Sequence, residues 1–273
     1  MKTLATALVA TLFALPAAAT TVTVTITNNS AADSLYLTPF LNVFHNGDYS
    51  AFTGGETASA GLEQIAEIGL TDIETAAVLA ADSTRQAVTL TEPTGFGSVP
   101  GQPQVFDPGN SATFSLDLDS TDNRYLTLLS MIIPSNDTFI TETFELFDDT
   151  GAFLGGSFDL GRSKVYDAGT EVNEANGDGQ AFNTADGNPP GLLGTDENGR
   201  VHLSTDAELA TLFGQPIPPL GGFLNSGDLT SFDSLVTVSF ELAPVPLPAS
   251  SMMLLGGIGG LAVWSRRKKK NAA

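Results

Sequence analysis

The chain has 273 residues, no cysteine and a formal net charge of -20. Its pI near 4.1 argues against nucleic acid as a partner, because a polyanion would be repelled. Without cysteine there can be no disulfide, thiolate nucleophile or zinc-thiolate site. Only two histidines occur, His45 and His202, so a multi-histidine transition-metal site is not expected either.

The N-terminus has the pattern of a secretory signal peptide. Lys2 precedes an apolar run over residues 4–15, and Pro16 and three alanines follow it. A basic start, an apolar centre and a small-residue cleavage site are typical of such signals. We therefore predict that residues 1–19 are a signal peptide and that the protein is exported.

The C-terminus combines three features in residues 244–270, "PVPLPASSMMLLGGIGGLAVWSRRKKK". A proline-rich motif precedes an apolar stretch at 249–264, which ends in a cluster of five basic residues. The stretch is shorter than the roughly 20 residues that a full bilayer span needs. Trp264 and the flanking cations nevertheless suit a membrane interface. We predict that residues 244–273 form a transmembrane segment with a basic tail.

This arrangement resembles the VPLPA variant of the bacterial PEP-CTERM sorting signal, with "VPLPA" at residues 245–249. The resemblance implies recognition and cleavage by an exosortase-type enzyme in the inner membrane. It also implies transient membrane anchoring, followed by release to the cell surface or the exopolysaccharide. A plain single-span anchor is the alternative, and both interpretations place residues 20–243 outside the cytoplasm.

Residues 20–243 are long enough for one large β domain. Polar and apolar residues alternate in four segments, which predicts strands with one buried face: 21–27, 112–119, 138–147 and 234–242. Residues 125–134 are more continuously apolar, which indicates a central strand covered on both sides. Asp149, Thr150 and Gly151 separate two apolar runs and predict a hairpin turn.

Helical signals are few. Residues 58–69 place apolar side chains on one face with Ser59 as a possible N-cap, and Thr205 with Glu208 forms a capping-box pattern. The predicted fold is therefore an all-β, antiparallel two-sheet sandwich with short helical decorations. Pairing of the first and last strands would bring the domain ends together, but the sequence leaves this open. Residues 173–200 are predicted to form a long acidic loop.

Oxygen ligands for a hard cation occur near predicted strand ends. Asp167 and Glu171 flank Gly169, which allows a turn that aims both carboxylates inward, and Asp137 follows the central apolar strand. Two carboxylates so close repel each other unless a cation lies between them, and Ca²⁺ takes six to eight oxygen ligands. Each acid taken alone also fits a solvated surface residue. Asp178, Asp186 and Asp196 fit either a second, looser ion or a solvated loop.

Three stretches in order resemble the spondin N-terminal domain: "HNGDYSAFTGGETASAGLEQIAEIG" (45–69), "SMIIPSND" (130–137) and "DAGTE" (167–171). The downstream "ENGRVHL" (197–203) is similar to bacterial members. The resemblance implies a C2-like β-sandwich that binds one calcium ion through Asp137, Asp167 and Glu171. Glu171 stands where animal members have aspartate, and the animal disulfides cannot form here.

The expected function is that of a secreted or surface-sorted, calcium-binding, non-catalytic adhesion or matrix protein, with extracellular polysaccharide or surface matrix as its partner. One alternative is a carbohydrate-active enzyme of the exopolysaccharide that uses paired acids. The other is a purely structural, acidic surface-layer protein. We interpret Phe40, Phe44, Tyr49 and Phe52 as core residues rather than as a carbohydrate platform.

Overall fold

The computed structural model describes residues 19–31, 34–93, 104–173, 194–212, 216–217, 222–223 and 232–244. The chain divides into two units, Met1–Leu242 and Ala243–Ala273, and every element described below belongs to the first. The predicted signal peptide and the predicted transmembrane segment lie outside the described residues. Among the described helices, none is long and apolar enough to cross a bilayer.

In the described part of the chain, the elements form a β-rich series with three α-helices and a short 3-10 helix, Arg162–Lys164. The strands are β1 Thr20–Asn28, β2 Tyr36–Leu37, β3 Phe40–His45, β4 Gln86–Leu90, β5 Ser111–Leu118, β6 Tyr125–Ile133, β7 Thr138–Glu145, β8 Gly156–Leu160, β9 Val165–Asp167, β10 His202–Leu203, β11 Pro216–Ile217, β12 Gly222–Phe223 and β13 Val236–Leu242. The helices are α1 Ala60–Ile68, α2 Asp72–Ala81 and α3 Asp206–Ala210.

The first sheet has four antiparallel strands in the order β5-β1-β13-β8. Its two central strands are the first and last strands of the domain, with Val22 opposite Leu242 and Asn28 opposite Val236. The two ends of the domain therefore meet in one sheet. The inward side chains of β1 are buried, whereas its outward threonines pair with hydroxyls of β5, as in Thr25 Oγ1 to Thr113 Oγ1 at 2.8 Å.

The second sheet has seven strands, in the order β10-β9-β7-β6-β3-β4, with β2 paired to β6. All its named pairings are antiparallel. Every residue of β6 after Tyr125 is buried, which confirms the predicted central strand. The short pair β11-β12 stands apart from both sheets.

Two hydrophobic cores hold these layers together. The larger lies between the sheets and includes Ile26, Phe40, Phe106, Leu128 and Val238. The smaller lies on the opposite face of the seven-stranded sheet, where Leu62, Ile65 and Ala66 of α1 pack near Leu41 and Leu129. The seven-stranded sheet is therefore covered on both faces, which explains its near-continuous apolar strands.

The predicted sandwich and its predicted decorations are confirmed. Ser59 caps α1 by accepting a hydrogen bond from the Leu62 N–H, and Thr205 with Glu208 forms the capping box of α3. The sequence interpretation did not include α2. Its residues, "DIETAAVLAA", bury only Glu74 and Val78, so they carry no clear apolar stripe.

Candidate metal centre

Asp137 and Asp167 meet because the ends of two neighbouring strands meet. Asp137 immediately precedes β7, Asp167 ends β9, and the pairing of these strands sets Thr138 opposite Asp167. The Ala168 N–H donates to the Asp137 carbonyl oxygen at 3.1 Å and extends the contact by one residue. Two acids that are thirty residues apart in the chain thus become neighbours in the sheet.

Both side chains are completely buried, with 0% exposure for Asp137 and for Asp167. Burial, together with the negative charge of Asp167, raises the pKa of Asp137 to about 7. Burial likewise raises the pKa of Asp167. Among the described residues, no lysine or arginine forms an ion pair with either carboxylate. Any negative charge on this pair is therefore not balanced by a lysine or arginine of the described chain.

The turn after Asp167 supplies backbone donors to both acids. The N–H groups of Thr170 and Glu171 donate to Asp137 Oδ2 at 2.9 and 3.1 Å, and the Gly169 N–H donates to Asp167 Oδ1 at 2.7 Å. Such bonds favour the ionised form and partly oppose the effect of burial on the pKa of Asp137. The turn thus orients the two carboxylates.

Gly169 is required at this turn for two reasons. Its φ of 66° lies in the left-handed region, and a Cβ there would lie 2.4 Å from the Arg200 backbone nitrogen. The Gly199 N–H donates to the Gly169 carbonyl oxygen at 2.7 Å. The segment around residues 197–200 therefore packs directly on the turn and closes the site from one side.

Glu197 comes from that segment and joins the two aspartates. One carboxylate oxygen from each of Asp137, Asp167 and Glu197 lies within 4.8 Å of the others, and Glu197 itself is exposed. Its backbone N–H donates to the Thr170 carbonyl oxygen at 2.9 Å. The sequence interpretation did not assign Glu197 as a ligand. The sequence feature that could have indicated it is the Asn198-Gly199 pair that follows it in "ENGRVHL" and is typical of a turn. In the structure, Asn198 has a left-handed φ of 56°.

Glu171, the third predicted ligand, is placed differently. Its side chain is buried, and its carboxylate lies against Gly194, where a Cβ would come within 2.2 Å of the Glu171 Cδ. Among the described residues, it does not belong to any group of three whose ligand atoms all lie within 4.8 Å. The structure thus brings together Asp137 and Asp167 of the predicted set, while Glu171 contributes its N–H to Asp137.

Asn173 is a further neighbour that sequence reasoning did not assign. Its Nδ2 donates to Asp167 Oδ2 at 2.5 Å, and among the described residues its buried Oδ1 has no hydrogen-bond partner. It comes from the part of the predicted acidic loop closest to the "DAGTE" turn. Composition alone gives no reason to separate it from the residues that follow.

A second group on the same edge contains Asp167, His202 and Glu208. His202 lies opposite Asp167 in the β9-β10 pair. Its Nδ1 lies 2.8 Å from the Arg200 carbonyl oxygen and its Nε2 lies 3.0 Å from Glu208 Oε1. Burial lowers the pKa of His202, but the two contacts and the negative charges of Asp167 and Glu208 together raise it overall.

Three further acids of the predicted loop were candidates for a second ion. Asp196 is exposed and forms an isolated β-bridge with Glu171, whereas Asp178 and Asp186 lie outside the described residues. His45 is buried and hydrogen-bonds to Thr127 and Gly47.

The residues at the Asp137–Asp167 pair fit a hard divalent cation. Asp137 Oδ1 is buried and has no hydrogen-bond partner among the described residues. Buried polar atoms in native proteins almost always have a partner, so an orphaned carboxylate oxygen beside a second buried carboxylate points to an ion. An all-oxygen donor set of carboxylates, amide and carbonyl groups is the set that Ca²⁺ prefers.

Fold and site together define a class: an acidic β-sandwich with an oxygen-lined cluster where strand ends meet. The Spondin_N family model matches residues 30–182, more than half of the chain, and the chain belongs to this family. A model of the PEP-CTERM protein-sorting motif matches residues 244–270. No curated protein matches the chain. The sorting motif indicates export through the membrane, processing by exosortase at the C-terminus, and a surface or extracellular location.

Proposed function

We propose that this protein is a non-catalytic binding component of the cell surface or extracellular matrix, and that one calcium ion stabilises its sandwich. Asp137 and Asp167 would hold the ion, with Glu197 from the facing segment and the carboxamide of Asn173 close by. Glu171 would support the site through its backbone rather than as a ligand, unless its carboxylate turns toward the ion. The surface location limits the candidate partners to extracellular ones, and among these we propose polysaccharide or matrix.

The observation that carries the proposal is the buried aspartate pair with its orphaned Asp137 Oδ1. Two buried carboxylates that are both ionised would repel each other and destabilise the fold, whereas a divalent cation between them would attract both. Because the ion binds only the folded chain, it should raise stability by RT ln(1 + [L]/Kd), or roughly 2.7 kcal/mol at a calcium concentration 100 times Kd.

Calorimetry on the full-length chain tests this proposal. We expect calcium to raise the unfolding temperature of the wild type, and Asp137→Asn or Asp167→Asn to remove most of that rise. Glu241→Gln is the matched control, since it removes one negative charge from an exposed position of the other sheet. An equal calcium response in all four proteins would instead support the purely structural acidic protein, whose ions are many, weak and equivalent.

One observation favours the second candidate, a carbohydrate-active enzyme. Burial, with the nearby charges of Glu63 and Asp196, raises the pKa of Glu67 to about 7. Glycoside hydrolysis uses a carboxyl group of raised pKa near a second carboxyl group. Turnover of a glycan panel that Glu67→Gln abolishes would establish this candidate over the non-catalytic one.

A further inference from the structure

Two clefts lie next to each other on the helix-bearing face of the seven-stranded sheet. The larger, of about 550 Å³, is lined by Tyr49 and Tyr125, and the smaller, of about 180 Å³, by Phe52 and Tyr166. Both include Thr143, so they form one groove, which we call the aromatic groove. Phe40 and Phe44 are fully buried core residues, as the sequence indicates, but Tyr49 and Phe52 are only partly buried and line this groove.

A chain of hydrogen bonds fixes the direction in which Thr143 donates. The Gly47 N–H donates to His45 Nδ1 at 3.0 Å, so Nδ1 is the acceptor of the ring and Nε2 carries the proton. Burial lowers the pKa of His45 to about 4, which keeps the ring neutral at neutral pH. Nε2 then donates to Thr127 Oγ1 at 3.0 Å. Because Thr127 is buried and its hydroxyl has no other acceptor among the described residues, we assign its proton to the 2.7 Å contact with Thr143 Oγ1.

The Thr143 hydroxyl is left with its own proton to donate. Thr143 is exposed, and among the described residues no acceptor takes this proton. Its donor therefore faces the shared part of the groove. A ligand that places an oxygen acceptor there completes a chain of hydrogen bonds that begins at a backbone amide. Such a preset donor provides orientation and specificity beside the aromatic residues of the lining.

Positive and negative side chains are nearly equal in number around the groove, whereas the protein as a whole is strongly negative. Only five basic residues lie between the two termini, and three of them border the groove: Arg85, Arg124 and Lys164. Arg85 pairs with Asp48, Lys164 with Glu142, and Arg124 with both Glu145 and Asp149. The guanidinium of Arg85 lies 5.6 Å from the centre of the Tyr49 ring, and that of Arg124 lies 5.3 Å from the centre of the Tyr125 ring. Around the groove, these acids outnumber the bases by only one, on a molecule that is strongly acidic as a whole.

We propose that the aromatic groove binds a neutral saccharide chain. The partly buried rings of the lining offer their accessible apolar surface to the CH groups of sugars, while the Thr143 donor and the polar rim at Asn46 and Asp48 bind sugar hydroxyls. A cleft of this volume suits a ligand of a few sugar units. The paired rim charges offer no net attraction to a polyanion, and the protein's net charge repels one. This inference deepens the proposed function by naming the partner class, and it uses a site other than the buried aspartates.

Affinity electrophoresis and titration calorimetry of the full-length chain test the inference, with cellohexaose, xylohexaose and soluble laminarin as neutral probes. We expect at least one probe to bind, with or without calcium. Thr143→Val removes the donor but keeps the shape of the side chain, and should weaken binding about fivefold, the equivalent of one net hydrogen bond of about 1 kcal/mol. Thr25→Val, on the four-stranded sheet, is the matched control and should bind like the wild type.

Tyr125→Leu should weaken binding further, and the Thr143→Val comparison stays decisive if that variant does not fold. Absence of binding to all three probes, or equal binding by wild type and Thr143→Val, would overturn the inference. Preferential binding of acidic alginate would overturn it as well. Because saccharide binding is measured in EDTA as well as in calcium, a chain that binds sugar but shows no calcium response contradicts only the calcium proposal.

Discussion

At the scale of single residues, the central feature is that Asp137 and Asp167 are both buried from solvent and lie side by side. Each acid is locally well oriented, since three backbone N–H groups donate to the pair. Hydrogen bonds of this kind stabilise a carboxylate, but they do not cancel the repulsion between two of them. The pair is therefore arranged for ionised carboxylates while its burial opposes ionisation. The cation that we propose would resolve this conflict.

Because burial opposes the ionisation of Asp137, we predict that the free energy of unfolding depends on pH. Because the folded-state pKa of Asp137, about 7, exceeds the ordinary aspartate value of about 3.9, the folded chain binds the proton more tightly than the unfolded chain. In EDTA, the contribution of Asp137 to the free energy of unfolding should therefore fall as pH rises from about 4 to about 7. The calcium-induced rise in unfolding temperature should be larger at pH 8 than at pH 5, because protons compete with the ion.

Calorimetry at the two pH values, with and without calcium, measures both effects. Comparing wild type with Asp137→Asn isolates this group, which matters because His45, with its lowered pKa, contributes a pH dependence of the opposite sign. Glu241→Gln should keep the wild-type profile. A calcium response of the same size at both pH values would show that the ion does not bind at the Asp137 carboxylate.

At the scale of elements, the helices differ in what they contribute. Leu62, Ile65 and Ala66 of α1 are buried and form the second core with strands of the larger sheet. By contrast, α2 exposes Ile73 and Leu79 at 44% each. The outer face of the larger sheet is therefore covered chiefly by α1, and the same face carries the aromatic groove.

Because α1 is buried against the sheet and α2 is largely exposed, the same leucine-to-alanine substitution should destabilise the fold more in α1 than in α2. Leu62→Ala should lower the free energy of unfolding by about 2–5 kcal/mol, because it leaves a cavity in the second core. Leu79→Ala removes the same atoms from an exposed helix position, so its effect should stay within about 0.5 kcal/mol. Urea denaturation of both variants measures the comparison. Similar losses in the two variants would mean that α1 does not form the cover described here.

The sequence predicted elements best where one physical pattern dominates. The alternation of polar and apolar residues predicted β1 and β13, because each strand has one face in the core and one in water. The strands β3 and β4 were not predicted, since β3 is buried throughout and β4 shows no clear alternation. At the site, Asp137 and Asp167 were predicted as neighbours, but Glu197 and Asn173 were not. Their positions depend on how the 194–200 segment and the end of the "DAGTE" turn pack, and neither follows from local pattern.

At the scale of the whole molecule, closure of the first sheet connects the two ends of the domain. β13 lies between β1 and β8 and contributes Val236, Val238 and Phe240 to the main core. The family match ends at residue 182, well before this strand. The fold therefore depends on a segment that lies outside the family match and directly before the sorting signal.

Two truncations test this dependence. A chain that ends at Ala243 keeps β13 and should unfold cooperatively, near the temperature of the full-length protein. A chain that ends at Asp233 loses β13, which removes the hydrogen-bond partner of both β1 and β8 and exposes the core side chains opposite them. Because each buried aliphatic or aromatic side chain contributes roughly 1.5–3 kcal/mol, losing three of them would remove most of a typical domain's stability. Calorimetry of the shorter chain should therefore show no cooperative transition. If it unfolded like the longer chain, the pairing of the first and last strands would not be what holds the four-stranded sheet together.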